Sequence, residues 1–306
     1  MLDLFHLNFV FENIDRLLEI TLAFITMSLG LNLTRKDFDK LFLNPKTLTI
    51  GLIAQMVLLP ILAFAIMSFT NFSPAIKVGF IIISLCPGGV TSNLVSYMLK
   101  GNIALSISLT VINGLLCMIS IPFLTNLALN TYFGSSEEIS LPVFKTLYMI
   151  ALVTVLPAFL GVLIRSHFTN LAKKLVPVLK YLMPILLFTV FLVKIFAPTE
   201  KGGIALSTSE LFDMGIWALL LNFSSMFFGF LFANIFSVKL TNKITIMVEV
   251  GLQNTALALF ICGTLLKNIE MQKPAMVYVI FTFVSTFLFA WLIKTVSIKF
   301  RKDEMD

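Results

Sequence analysis

Long apolar runs separated by short polar connections repeat along almost the whole chain. A helix needs about 20 apolar residues to cross the hydrocarbon core of a bilayer. Nine stretches meet this requirement: 14–34, 46–69, 76–99, 102–130, 140–166, 171–197, 208–236, 240–266 and 275–298. We therefore predict an all-α polytopic membrane protein with about nine transmembrane helices. Its connections are too short to hold a separate soluble domain.

The composition supports a membrane protein. Hydrophobic residues make up 58% of the 306 residues and charged residues only 12%, against about 25% charged residues in soluble proteins. This excludes an ordinary cytosolic enzyme and a disordered chain. The net charge of +6 comes from basic residues spread along the connections, without the basic stripe of a nucleic-acid-binding protein. We expect membrane lipid around the protein and no nucleic-acid partner.

The positions of Lys and Arg predict an orientation in the membrane. When alternate connections are assigned to two sides, 15 of the 22 basic residues fall on the side of the C-terminus. The positive-inside rule then puts the C-terminus in the cytoplasm and the N-terminus outside. We expect a multi-pass protein of the cell (inner) membrane. The first residues carry no basic region or cleavage site, so we expect no removable signal peptide.

The cysteines and histidines do not predict a disulfide or a metal site. Cys86, Cys117 and Cys262 lie far apart in apolar runs, and three cysteines cannot all pair. His6 and His167 flank spans and have no neighbouring ligands at metal spacing. No Ser/His, Asp/Asp or clustered-His arrangement lies at membrane depth, so we expect neither enzymatic activity nor a cofactor.

Two of the predicted spans carry polar interruptions. The third contains CPGGVTSN at 86–93, and the eighth contains VEVGLQNT at 248–255. Pro and Gly weaken helices, and free backbone groups at membrane depth survive only when buried in protein or lining a cavity. Ser92-Asn93 and Asn254-Thr255 are N-cap residue types that suit the start of a second half-helix. Paired interruptions of this kind indicate the binding site of a secondary transporter.

Glu249 in the eighth span is the strongest functional candidate, because an ionisable residue at this depth is costly and usually functional. A structural carboxylate with a partner is the alternative. Gln55 lies in the middle of the second span, and Ser106 and Thr110 stand four residues apart on one face of the fourth. Each could form a helix–helix hydrogen bond. Together, with a single acid, they predict an oxygen-rich cage for a hard, weakly charged cation.

These segments resemble the bile acid:sodium symporter family and its bacterial members. The resemblance covers essentially the whole chain, and it rests on CPGGVTSN, GNIALSISLT, VEVGLQN and GLNLTRKDFDKLFLNPK. It implies an inverted-repeat transporter fold with two crossed discontinuous helices. Spans one, five and six would form a panel domain (1–45 and 136–200), and the other spans a core domain (46–135 and 201–306). Bacterial relatives commonly have ten spans, so this chain would lack the first, a panel helix.

The resemblance also implies two sodium ions as coupling ions. One sodium site would use Ser92, Asn93, Ser106, Thr110 and Glu249. The second would use Gln55, Glu249, Gln253 and the backbone carbonyls of Val250 and Leu252. The substrate would contact Asn254, Thr255 and the backbone around Val90 and Thr91. The chain has Val90 where several relatives have Thr, and its last span offers Thr282, Ser285 and Thr286 instead of a His-Asn pair.

We therefore predict a sodium-coupled secondary symporter that imports an organic anion by alternating access. Two sodium ions that share one carboxylate leave a positive site, and an anion facing two half-helix N-termini would neutralise it. The substrate would be bile-acid-like or a small carboxylate such as pantoate or a keto acid. A proton-coupled organic-anion transporter is an alternative, because burial of Glu249 favours its protonated form. A channel or sensor with one gated pore is another.

Overall fold

The computed structural model describes residues 13–33, 45–134 and 140–303. These residues fold into helices joined by short connections. We label them α1 (Ile14–Asn32), α2 (Pro45–Ser68), α3 (Pro74–Leu85), α4 (Val90–Met98), α5 (Ile103–Phe133), α6 (Val143–His167), α7 (Thr169–Phe196), α8 (Thr208–Ile235), α9 (Leu240–Gly251), α10 (Thr255–Leu265) and α11 (Ile269–Asp303).

Five of the described helices, α2, α5, α6, α8 and α11, are long and apolar enough to cross a membrane. A sixth is added if α7, which bends by 42° between Leu179 and Tyr181, counts as one span. Pro184 explains a bend here, because a proline ring collides with the carbonyl four residues earlier. The prediction of an all-helical polytopic membrane protein is confirmed, and the number of nine spans stays a prediction.

The remaining predicted spans correspond to α1 and to the interrupted pairs α3–α4 and α9–α10. Helix α1 carries Asp15, Arg16 and Glu19 in its first turns. The members of each pair are too short to cross a membrane alone, since they have only 9 to 12 residues. Their role therefore depends on the helices around them and not on their own length or hydropathy.

The helices pack in two groups. Helix α1 packs mainly along α6 and α7. Gly30 of α1 and Gly161 of α6 lie so close to the opposite backbone that a Cβ at either position would collide with it, as is common where membrane helices touch. In the other group, α3 is enclosed by α2, α5 and α11, and α8 packs against α9 and α11.

Large apolar side chains cover much of the outer surface. Phe69, Phe144 and Phe196 are examples of well-exposed rings. Continuous exposed apolar surface is rare on soluble monomers, whereas in a bilayer these side chains contact lipid. The surface thus agrees with the composition.

Both predicted interruptions break their helices, and the two breaks contact each other. The first gap, 86–89, separates α3 from α4, and the second, 252–254, separates α9 from α10. The backbone N–H of Asn254 donates to the Pro87 carbonyl at 2.9 Å, and Gly88 and Gln253 form an antiparallel bridge. Each break thus satisfies backbone groups of the other, as a low-dielectric environment demands.

The predicted half-helix starts are right at the second break and wrong at the first. Asn254 is the N-cap of α10, and its Oδ1 accepts the Leu257 N–H at 3.1 Å. Helix α4 begins at Val90 with Gly89 as its N-cap, so Ser92 and Asn93 lie in its first turn. The extended backbone of Gly89 ends the break three residues earlier than the N-cap pattern predicts.

Candidate ion-binding site

Glu249 lies in the last turn of α9, where the two breaks meet. Its side chain is 1% exposed. Thr110 Oγ1 donates to Glu249 Oε1 at 2.7 Å, and Ser106 Oγ lies 3.2 Å from Oε2. Gly88 of the first break packs against the same carboxylate so closely that a Cβ there would overlap Oε1. Position 88 therefore needs glycine, because the Cβ of any other residue would overlap the Glu249 carboxylate.

Within 13–33, 45–134 and 140–303, the hydrogen-bond donors to the Glu249 carboxylate are neutral hydroxyl groups. The structure describes ion pairs elsewhere, between Lys194 and Asp15 and from Lys273 to Glu210 and Glu270. A buried carboxylate is unfavourable unless a cation or several hydrogen bonds compensate for the lost water. Neutral hydroxyls compensate only in part, so an added positive charge would stabilise the carboxylate.

The residues predicted for the first sodium site lie together around Glu249. Asn93 Oδ1 is 2.7 Å from Ser106 Oγ and 3.5 Å from Thr110 Oγ1. Ser92 Oγ lies 3.0 Å from the position that a Cβ would take at Gly88, beside the carboxylate. One carboxylate and several neutral oxygens form a set of donors that suits a hard cation.

The residues predicted for the second sodium site are linked by amide hydrogen bonds. Gln55 Nε2 donates to Gln253 Oε1 at 2.8 Å and to the Cys86 carbonyl at 3.2 Å. Gln253 Nε2 donates to the Val250 carbonyl at 2.8 Å. Two oxygens predicted to bind sodium therefore accept amide N–H groups. Leu252 lies in the gap after α9 with an extended backbone.

Gln55 is held in a π-helical turn, Ala54–Leu58, inside α2. Single π-helical turns within helices are frequent at functional sites. Pro60 follows two residues after this turn, where its missing N–H removes one intrahelical hydrogen bond. The widened turn was not predicted.

The residues predicted to contact substrate lie at the starts of α4 and α10. Val90 is the first residue of α4 and Thr91 is the second. The side chain of Thr91 is exposed. Asn254 is half-buried and caps α10, and Thr255 is its buried first residue. The free N–H groups of a first helical turn carry partial positive charge.

Two side chains that the sequence analysis missed hold the second break. The Gly251 carbonyl accepts hydrogen bonds from Asn222 Nδ2 at 2.7 Å and Tyr278 OH at 2.9 Å. Asn222 also binds the hydroxyls of Thr286 and Ser285 at 2.9 and 2.8 Å. The polar residues Tyr278, Ser285 and Thr286 of the last span therefore support the second break, directly or through Asn222 of α8. The available signal was an asparagine in the middle of an apolar span.

His167, Cys117 and Cys262 are not among the residues predicted for either sodium site, whereas Cys86 lies in the first break and its carbonyl accepts Gln55 Nε2. His167 is exposed beside Ser166, and its Nδ1 lies 2.8 Å from the Ser166 hydroxyl. His6 lies outside the described residues. Cys86, Cys117 and Cys262 are buried and free. Within 13–33, 45–134 and 140–303, no group of three or more His, Cys, Asp or Glu could hold a metal ion.

Paired helix breaks around a buried carboxylate in an all-helical membrane protein are the organisation of a secondary transporter. The chain belongs to the Sodium Bile acid symporter family, whose sequence model matches residues 19–200. The resemblance found in the sequence is thus confirmed. The members compared below are named as transporters and not as enzymes.

Three relatives illustrate the similarity. "Probable sodium/metabolite cotransporter BASS1, chloroplastic" of Arabidopsis thaliana is 29% identical over 78% of this chain and 57% of its own length. "Uncharacterized sodium-dependent transporter YocS" of Bacillus subtilis is 29% identical over 81% and 74%. The human "Ileal sodium/bile acid cotransporter" is 25% identical over 88% and 74%. The match spans 57 to 60% of the plant relatives.

Proposed function

We propose that this protein is a sodium-coupled symporter that imports an organic anion by alternating access. The observation that carries the proposal is the buried Glu249 carboxylate, surrounded by neutral oxygens where two helix breaks meet. The names of relatives that include sodium-dependent and sodium/metabolite transport support it.

Two sodium ions would share Glu249. The first would bind the oxygens of Ser92, Asn93, Ser106 and Thr110, and the second would bind Gln55, Gln253 and the carbonyls of Val250 and Leu252. Charge favours sodium over a divalent ion. Two monovalent ions leave the site with one net positive charge, whereas two divalent ions would leave three, at a high cost in a low dielectric.

The remaining positive charge would recruit the anion. The substrate would lie against the starts of α4 and α10, near Val90, Thr91, Asn254 and Thr255, where helix dipoles add to the attraction. Sodium and the anion would then each raise the affinity for the other, since coupling between binding sites is reciprocal. The substrate class is a bile-acid-like molecule or a small carboxylate such as pantoate or a keto acid.

Alternating access would arise from the movement of two domains. The panel would contain α1, α6 and α7 (1–45 and 136–200), and the core the other helices (46–135 and 201–306). The packing of α1 along α6 and α7 supports this division. The paired breaks would be the crossed discontinuous helices of a nine-span inverted-repeat fold, with the N-terminus outside and the C-terminus in the cytoplasm.

The first test is the thermal stability of the purified protein in sodium and in potassium. A ligand that binds only the folded state stabilises it by RT ln(1 + [L]/Kd), about 2.7 kcal/mol at a hundredfold excess over Kd. We expect sodium to raise the unfolding temperature of the wild type and to have no such effect on Glu249→Gln. An equal response to both salts in the wild type would count against sodium sites.

The second test is uptake of labelled carboxylates and bile acids into proteoliposomes. A sodium gradient should drive uphill accumulation by the wild type and not by Glu249→Ala. Uptake driven by a pH gradient without sodium would instead favour proton coupling through Glu249. Saturable uphill transport of either kind excludes a channel or a sensor.

A further inference from the structure

A small cavity lies beside Gln55, between α2, α5 and the first break. Gln55 and Pro60 of α2, Pro87 of the break, and Asn113 and Cys117 of α5 are among its lining residues. The space open to the centre of a water molecule is about 10 Å³. A cavity of this size holds a single water when polar partners are present.

The cavity contains polar atoms that have no partner. Gln55 is 2% exposed and Asn113 is 1% exposed. Gln55 Oε1 and both Oδ1 and Nδ2 of Asn113 have no hydrogen-bond partner among the described residues. Buried polar groups are nearly always hydrogen-bonded, so three unpartnered atoms at one cavity require an explanation.

Asn113 continues the polar face of α5 that carries two of the proposed sodium ligands. Ser106, Thr110 and Asn113 follow one another at intervals of four and three residues, so they lie on one side of the helix. Asn113 is therefore one turn beyond the ion site, on the face that reaches α2.

The Gln55 amide is oriented against sodium binding in this structure. Its Nε2 donates to Gln253 Oε1 and to the Cys86 carbonyl, and its oxygen is the unpartnered atom. Sodium at the second site needs the oxygens of both glutamines. A half-turn of the Gln55 amide would direct its oxygen towards Gln253 and its N–H towards the cavity that Asn113 lines.

We propose that Asn113 is a positioning residue of the second sodium site. Its Oδ1 accepts the Gln55 N–H, directly or through one water in the cavity, and so stabilises the amide orientation in which Gln55 Oε1 binds sodium. The inference rests on the proposed sodium symport and adds one residue to its machinery.

The test is a sodium titration of thermal stability for Asn113→Leu, which removes both polar atoms and keeps the branched shape of the side chain. In potassium this variant should be at least as stable as the wild type, because an unpartnered buried amide is lost. The sodium concentration for half-maximal stabilisation should rise about tenfold, the effect of one lost hydrogen bond.

Asn126→Leu is the matched control on the same helix. Asn126 Nδ2 donates to the Leu141 carbonyl at 3.0 Å, and the Leu141 N–H donates to Asn126 Oδ1 at 2.7 Å. Its loss should lower the unfolding temperature equally in sodium and potassium and leave the half-maximal sodium concentration unchanged.

The outcomes separate this inference from the function on which it rests. A wild type without a sodium response overturns both. A wild type that responds, together with an unchanged half-maximal sodium concentration for Asn113→Leu, overturns only the role of Asn113. If Asn113→Leu does not fold, Asn113→Thr and Asn113→Val replace it, since they differ by one hydroxyl. We expect a lower half-maximal sodium concentration for Asn113→Thr than for Asn113→Val. Equal half-maximal concentrations overturn the inference.

Discussion

Glu249 and Lys194 are both buried charged side chains, but their charges are compensated in different ways. Lys194, at the end of α7, is 0% exposed. Its Nζ donates to Asp15 Oδ1 and Gln272 Oε1, both at 2.8 Å, and to the Gly202 carbonyl at 3.4 Å. An ammonium group has three donors, so the chain itself satisfies Lys194. Glu249 instead receives hydrogen bonds from neutral hydroxyls alone among the residues that the structure describes.

We infer from this comparison that Lys194 is a structural charge, whereas the Glu249 carboxylate is the proposed ligand of a cation. Lys194 connects α1, α7 and α11 through a complete set of acceptors, so its contribution should not depend on the salt present. Glu249 lies where two helices are interrupted, and no basic residue in the described part of the chain forms an ion pair with it. We therefore expect variants at Glu249 to change the response to sodium, and variants around Lys194 to change stability alone.

The largest effect is expected for Glu249→Gln, which keeps the shape of the side chain and removes its charge. The apparent sodium affinity should fall by a factor on the order of 100 or more, because a buried sodium ion would lose the carboxylate that balances its charge. Sodium titration of thermal stability measures this. Glu210→Gln is the control, because Glu210 pairs with Lys273 in a more exposed setting; it should keep the wild-type sodium response.

Asp15→Ala should produce the next largest effect, on stability. It leaves the Lys194 ammonium buried without its counterion, which costs about 3 kcal/mol or more. Lys194→Met should cost less, because the Asp15 side chain is 43% exposed and water can hydrate it. Unfolding temperatures should fall equally in sodium and potassium. A loss seen in one salt only would contradict the assignment of Lys194 as a structural charge.

Gly88→Ala should weaken sodium binding by displacing the Glu249 carboxylate, since the new Cβ would overlap Oε1. We expect the half-maximal sodium concentration to rise about tenfold or more. The free energy of unfolding should fall by about 1–3 kcal/mol, as is typical of overpacking. Gly114→Ala on α5 is the control, because its Cβ would meet no atom within 4 Å. It should leave sodium binding unchanged and stabilise the helix slightly.

The smallest effect is expected for Thr110→Val, which removes only the hydroxyl that donates to Glu249 Oε1. The half-maximal sodium concentration should rise about tenfold or less, as for one hydrogen bond. Thr125→Val on the same helix is the control. Thr125 is buried, and its hydroxyl has no partner among the described residues, so its loss should not lower stability. Equal sodium titrations for the two variants would place Thr110 outside the site.

The candidate site was predicted as far as local pattern allows. Glu249 stands out because it is an acid in an apolar span. The first gap follows from Pro87 and two glycines at membrane depth, and the second from Gly251 and the polar residues after it. The spacing of Ser106 and Thr110 predicted that both lie on one face of the same helix. Asn113 continues that spacing and was missed, because its significance depends on a cavity formed with α2. The capping role of Ser92 and Asn93 was wrong, because Gly89 begins α4 earlier.

The sequence by itself determined the membrane class, the family and the positions of the two breaks, because these depend on hydropathy and residue type within short windows. The tertiary structure decided which groups meet. The Gln55–Gln253 contact joins residues 198 positions apart, and the Thr110–Glu249 contact joins residues 139 apart. The burial of Lys194 likewise depends on Asp15, 179 positions away. Helical periodicity tells which face a residue occupies, whereas the partner on that face is fixed only when the helices pack.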